Sequence, residues 1–209
     1  MTRLRTWTAA ALALAATAIP AFGQGYPSRG IKFVVPFAAG SATDSVARII
    51  GEHASKTLGQ QIVVENIGGA SGIVAAQNVA RAEPDGHTIL ITTNTTHGAN
   101  QSLLKRVPYD ADKDFEAVTK LGTITLALIA HPSVPAKSVA ELIAYAKANP
   151  GKLSFGSGSS SSRIAGEMLK SRAGIDILHV PYRSNPQAVT DLLGGNIQLF
   201  FADISTTLP

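Results

Sequence analysis

Cysteine is absent from all 209 residues, which removes disulfides, thiol nucleophiles and thiolate metal sites from consideration. Charge is sparse as well, at 15% of residues, with a formal net charge of +4. Lys and Arg are scattered and form no basic stripe, so no nucleic-acid partner is expected. Catalytic and cofactor patterns are missing too. No G-x-S-x-G places a serine on a nucleophile elbow, and no H-E-x-x-H offers paired metal ligands. The Gly156-Ser157-Gly158 run lacks the third glycine of a dinucleotide fingerprint, and no G-K-[ST] follows a glycine loop. The expectation is a protein with no cofactor, no metal and no enzymatic activity. An exported serine hydrolase using residues 157–162 is the catalytic alternative, and the missing elbow argues against it.

Long hydrophobic runs are missing except at the start. Arg3 and Arg5 precede a small, apolar run over 9–19, followed by Pro20 and Ala21-Phe22-Gly23. This order of charged, apolar and small-residue regions reads as a secretory signal peptide over 1–23, cleaved near Gly23, and the run is short for a bilayer span. Removing it lowers the formal charge to +2 and leaves 186 residues. A chain of that length, exported and without disulfides, must be held by its apolar core, for which one or two domains suffice.

From residue 31 onward, short β-rich runs alternate with helix-length segments, the pattern of an α/β fold with mostly parallel sheets. The strands are expected at 31–36, 61–65, 88–92, 123–130, 153–156, 177–180 and 197–202. Most are continuously apolar, as strands covered on both faces are. Helices are expected over 41–58, 70–82 and 164–171. Another follows Ser138, whose S-x-x-E spacing with Glu141 forms a capping box, and stops at Asn149-Pro150-Gly151. A last helix has Asn185 as N-cap and Pro186 at its first position, and ends at Gly194-Gly195. The series divides into lobe 1 over 24–122 and lobe 2 over 123–209.

Ligands of open α/β sheets bind beyond the carboxyl ends of strands, and three polar strand-to-helix segments fall there. The first contains Phe37, Ala39, Gly40, Ser41, Thr43 and Asp44. A helix starting here turns free N–H groups and its positive dipole end toward the crevice, a seat for a carboxylate. Ser41 and Asp44 also form an S-x-x-D cap, so the stretch equally reads as a well-capped helix start. The second, with Thr93, Asn94, Thr95, Thr96 and His97, is a run of hydrogen-bonding side chains or an ordinary polar loop. The third, with Ser157, Ser159, Ser160, Ser161 and Ser162, gathers hydroxyls in a βα loop ahead of a helix. Asp203, ending the last strand, reaches the same rim, either to accept a hydrogen bond from a ligand or to cap the strand. His53, His87, His131 and His179 are dispersed and read as packing or surface residues.

An ordered series of blocks resembles one family over essentially all of residues 26–209. It includes Tyr26-Pro27-Ser28-Arg29, Val34-Val35-Pro36-Phe37-Ala38-Ala39-Gly40, Ala42-Thr43-Asp44, Pro84-Asp85-Gly86, Pro108-Tyr109-Asp110, Ala148-Asn149-Pro150-Gly151, His179-Val180-Pro181-Tyr182 and Asp191-Leu192-Leu193-Gly194-Gly195. The chain is similar to the Bug receptors, the solute-binding proteins of tripartite tricarboxylate transporters. The resemblance implies a two-lobed, Venus-flytrap-like periplasmic binding protein, a monomer, that takes a small organic carboxylate and delivers it to a two-component membrane permease. A sensory role toward a membrane receptor is the alternative. It implies further that residues 37–44 hold one carboxylate while 93–97 and 157–162 complete the pocket. Three departures stand out. Ser41 takes the place of a usual glycine, Asn66-Ile67-Gly68-Gly69-Ala70 lacks the usual arginine, and the family continues past Pro209. The second half is therefore expected to be incomplete, with apolar surface left uncovered and weak binding as the consequence.

Overall fold

A computed structural model describes residues 25–204. The signal peptide expected over 1–23 and the last five residues lie outside that range. Two separate sheets organise the chain. The first, in order β2-β1-β3, is fully parallel, and consists of β1 (Ile31–Val35), β2 (Ile62–Asn66) and β3 (Thr88–Leu90). The second, in order β4-β7-β5-β6, consists of β4 (Leu126–Ala130), β5 (Ser154–Ser157), β6 (Leu178–Pro181) and β7 (Leu199–Asp203). Within it β5 runs parallel to both β6 and β7, and β4 alone is antiparallel. The α/β class with mostly parallel sheets is thus realised.

Expected strands and observed strands coincide within a few residues, with one informative difference. The run 123–130 pairs only from Leu126, because β7 offers partners to Leu126–Ala130 alone. Full burial is confined to the central strands β1, β5 and β7, whereas β2, β3 and β6 stand at sheet edges and are partly exposed. An apolar run therefore marks a strand here, but not its place in the sheet.

Helices α1 (Ala42–Leu58), α2 (Ile73–Ala80), α3 (Asn100–Leu103), α4 (Val139–Ala148), α5 (Ser160–Ala173) and α6 (Asn185–Leu193) follow the strands in α/β fashion. Helix α1 is capped by Ser41, whose Oγ accepts from the Asp44 amide at 3.3 Å, and it closes on Gly59 in the left-handed region at φ 65°. Helix α4 is capped as its sequence predicts: Ser138 Oγ accepts from the Glu141 amide. The Glu141 carboxylate, however, takes the Lys137 amide, one residue ahead of the cap.

Two helix starts differ from expectation. Helix α2 begins at Ile73 rather than near 70, because Ala70 and Ser71 have φ of 48° and 53° and Gly72 has 78°, a backbone that cannot continue into a right-handed helix. Helix α6 is preceded by Ser184 as N-cap, and Asn185 lies inside its first turn. The correction has a tertiary cause, since the Asn185 side chain is engaged elsewhere.

The core lies where the strands are covered. Phe33, Val35 and Phe37 pack with Ala47 of α1 under the first sheet. One face of the second sheet buries Phe155, Ile177 and Leu199 against Leu142 and Ala146 of α4. Its other face buries Phe200 and Ala202 against Ala188 and Leu192 of α6. Among the described residues no helix is long and apolar enough to cross a membrane.

Candidate functional site

The carboxyl ends of β1 and β3 in the first half approach those of β5 and β7 in the second. A cleft of about 1820 Å³ lies between them and extends along the edge of β3 and residues 111–124. At its strand-end portion it is lined by Phe37, Ser41, Ala42, Thr43, Thr93, Asn94, His97, Ser159, Ser161, Asn185 and Asp203. This is larger than the roughly 300–1,000 Å³ of a small-molecule pocket, so only part of it is needed to hold a ligand.

On the first side the loop after β1 is held rigid by a buried acid. Asp44 accepts from the Gly40 amide (2.9 Å), from Asn66 Nδ2 (2.9 Å) and from the Arg48 guanidinium (3.0 Å). Asn66 also donates to the Phe37 carbonyl at 3.1 Å. Burial pushes the Asp44 carboxyl up, but the bonds from Arg48, Gly40 and Asn66 outweigh it and hold the group below the usual carboxylate value. Asp44 is thus directed into the protein, and the Gly40 amide is occupied by it. The Ser41 amide is occupied as well, by the Ala38 carbonyl. The amides of Ala42 and Thr43, first in α1, have no intrahelical acceptor and sit at the positive end of its dipole.

The segment after β3 is not a loop. Residues Thr95–Ala99 form a π-type turn leading directly into α3. Thr95 and Thr96 are fully buried, and Thr96 Oγ1 bonds Thr92 Oγ1 at 2.6 Å and His97 Nδ1 at 2.8 Å. The Thr95 hydroxyl has no partner. That leaves Thr93, Asn94 and His97 on the cleft. The His97 ring stands edge-on to Phe115 with centroids 4.5 Å apart, and burial holds its pKa below the ordinary histidine value, against the pull of Asp112.

The serine run is also corrected in form. Helix α5 starts at Ser160, so Ser160, Ser161 and Ser162 occupy its first turn instead of a six-residue loop. Ser159 and Ser162 cap that helix reciprocally. Ser160 donates to Asn100 Oδ1 at 3.2 Å and Ser161 to Asn94 Oδ1 at 2.8 Å, both bonds crossing from the second half to the first. Ser157 is buried and bonded to His179 Nε2 at 2.6 Å, with the His179 ring tilted over Phe155. Phe155 packs beneath Gly166 of α5. The Ser157–His179 pair is therefore covered by a helix and does not line the cleft.

Asp203 does line it. Its carboxylate accepts from Asn185 Nδ2 at 2.8 Å, and burial raises its pKa while that bond pulls the other way. Asn66, Asn100 and Asn185 organise the site and were not recognisable as site residues. Their one sequence signal is an asparagine at a strand end or helix start, which is too common to single them out. No cluster of three His, Asp or Glu able to hold a metal occurs among the described residues.

The sequence profile of the tripartite tricarboxylate transporter family receptor matches residues 46–209. The chain belongs to this family. A protein encoded in the tcbD-tcbE intergenic region of a Pseudomonas species is 39% identical over 87% of this chain and 54% of its own length. Among solved structures, MatC from Rhodopseudomonas palustris with bound malate matches with TM-score 0.81 and 34% identity, over 87% of this chain and 62% of that one. An R. palustris protein with adipate matches with TM-score 0.79 and 31% identity, over 88% and 62%. The chain spans 54 to 61% of the length of its sequence relatives. The fold of this receptor-family chain is accordingly that of periplasmic binding proteins. Its cleft is short of cations: Lys113 and Lys120, the lysines on the lining, belong to the 111–124 stretch and not to the strand-end loops.

Proposed function

We propose that the protein is a periplasmic receptor that captures a small organic carboxylate between its two halves and passes it to a two-component membrane permease. The observation that carries this reading is the start of α1. Ala42 and Thr43, whose amides have no acceptor within the helix, line the cleft, and the loop beneath them is fixed by Asp44 and Asn66. Backbone donors on a rigid loop recognise a carboxylate without a cation, which suits a cleft poor in Arg and Lys.

In this reading residues 1–23 are removed on export, the lobes divide at 122/123, and the protein acts as a monomer. Phe37, Ala39, Gly40, Ser41 and Thr43 form the first wall, Thr93, Asn94 and His97 the second, and Ser159, Ser161 and Asp203 the third. Asp44, Thr95, Ser157, Ser160 and Ser162 support those walls from behind. Relatives whose solved structures hold malate and adipate favour a carboxylate as ligand. Calorimetric titration with mono-, di- and tricarboxylates is expected to reveal at least one saturable ligand of one-to-one stoichiometry. A flat response across the whole panel, from protein with native circular dichroism, counts against the reading.

A further inference from the structure

Among the described residues that line the strand-end portion of the cleft, His97 alone can become a cation. Its ring also borders a side pocket of about 370 Å³, shared with Gln101, Tyr109, Asp110 and Asp112. Two other rings hold it in place. Phe115 stands edge-on with centroids 4.5 Å apart, Tyr109 lies at 6.3 Å, and Tyr109 and Phe115 are 5.8 Å from each other. Tyr109 is itself tied down by its hydroxyl, which donates to the Thr96 carbonyl at 2.7 Å.

The inner ring nitrogen has a partner that suits either protonation state. Nδ1 is 2.8 Å from Thr96 Oγ1, which in turn lies 2.6 Å from Thr92 Oγ1 and 3.5 Å from the Thr93 carbonyl. A hydroxyl both donates and accepts. Thr96 can therefore donate to a bare Nδ1, or accept from a protonated one while its own hydrogen turns to Thr92 or Thr93. Charging the ring thus costs no buried hydrogen bond, whereas a partner able only to donate would oppose it. The outer nitrogen, Nε2, has no hydrogen-bond partner among the described residues and is open to solvent.

Few charges surround the ring. Asp112 favours its charged form, Asp110 is held by Lys113 Nζ at 2.8 Å, and Lys113 and Asp203 line the same cleft. Burial outweighs Asp112 and keeps the ring of the free protein mainly neutral at pH 7.

We propose that His97 is a proton-linked anchor for the ligand: its ring becomes charged when a carboxylate lies against Nε2, so capture takes up a proton and is favoured by mild acidity. The inference rests on the carboxylate reading above and adds a regulation to it. The ligand prefers the charged ring. Affinity therefore rises as pH falls through the pKa of the bound form and levels off below that of the free form. His97 is the group that touches the ligand, and Thr96 is its positioning residue.

Calorimetry of the purified protein with lactate, malate, adipate and citrate at pH 6, 7 and 8 tests this. A carboxylate beside the ring raises its pKa by about one unit or more. Binding of the acid that saturates should then be about fivefold tighter at pH 6 than at pH 8, with about half a proton taken up per ligand near pH 6.5. Repeating the titration in buffers of different ionisation enthalpy counts that proton on the unaltered protein. His97→Gln, which cannot titrate, should abolish both the pH slope and the uptake. Protons carried by the acid itself are common to parent and variant and cancel in the comparison. Asp203 also gains a proton at lower pH, so a slope that survives in His97→Gln assigns the linkage to that wall and overturns the proposal. Saturable binding with equal affinity at pH 6 and 8 overturns it as well. Absence of binding by all four acids at every pH, from folded protein, instead brings down the carboxylate reading and this proposal together.

Discussion

At the level of single residues, Asp85 has the clearest electrostatic signature. The His87 amide and the Arg29 guanidinium both donate to its carboxylate, and together they pull its pKa from 3.8 to about 2. The folded pKa is thus depressed. Stability from this group is present above the unfolded value and is lost as pH falls through the folded one. Asp85→Asn is therefore expected to lower stability by a constant amount above pH 4, with the gap to the parent protein closing between about pH 4 and 2. Denaturant unfolding across that range checks it, and an undiminished gap at pH 2 contradicts it. Asp44 works in the same direction from a buried position, so acid should also loosen the loop over α1. The role of Asp44 was half legible. The S-x-x-D spacing announced a cap, and Ser41 does cap α1. The spacing said nothing of Arg48 and Asn66, which come from a later helical turn and another strand and turn the acid away from any ligand.

Among the elements, local signals were readable and shared ones were not. Strand positions, the caps of α1 and α4 and the glycines closing α6 follow from residues a few positions apart. The start of α6 did not, because Asn185 has a better use for its amide in Gly158 and Asp203 than in its own helix. The serine run failed in the same manner. As a string it resembles a linker or loop, but the Ser159–Ser162 pair nucleates α5 two residues into it. These contacts grade two substitutions. Ser159→Ala removes the N-cap of α5 and is expected to cost about 1 kcal/mol. Gly158→Ala places a methyl group on the backbone of Ser184 and Asn185. Since backbone cannot rotate aside, the cost should reach about 3 kcal/mol or more. The same change displaces the amide that Asn185 Oδ1 accepts. Urea midpoints of the two variants test the ordering, and equal midpoints would show that the α5–α6 loops yield more readily than their packing implies.

In the molecule as a whole, the two sheets and their cores were legible from alternating strands and helices, but the bonds joining them were not, since each pairs residues more than fifty positions apart. Asn100 is the centre of that junction. It is fully buried, donates to the Ser71 carbonyl at 2.8 Å and accepts from Ser160 across the cleft. The nearby Ser161–Asn94 bond lies at the surface. Burial separates the two in energy. Ser160→Ala leaves the Asn100 oxygen buried without its partner when the halves are together, at a cost of about 1–3 kcal/mol. Opening the cleft lets water reach that oxygen, so the penalty falls on the closed arrangement alone. Ligand held between the halves must then restore closure from its own binding energy, and apparent affinity should drop roughly 5- to 100-fold. Ser161→Ala removes a bond that water replaces, and its effect should stay within about threefold. Small-angle scattering of the unliganded protein offers an independent readout: Ser160→Ala should enlarge the radius of gyration and Ser161→Ala should not. If Ser160→Ala instead lowers the unfolding midpoint while scattering and affinity stay at parental values, the Asn100 junction is a fixed pivot present in both open and closed forms, and closure is controlled at another contact.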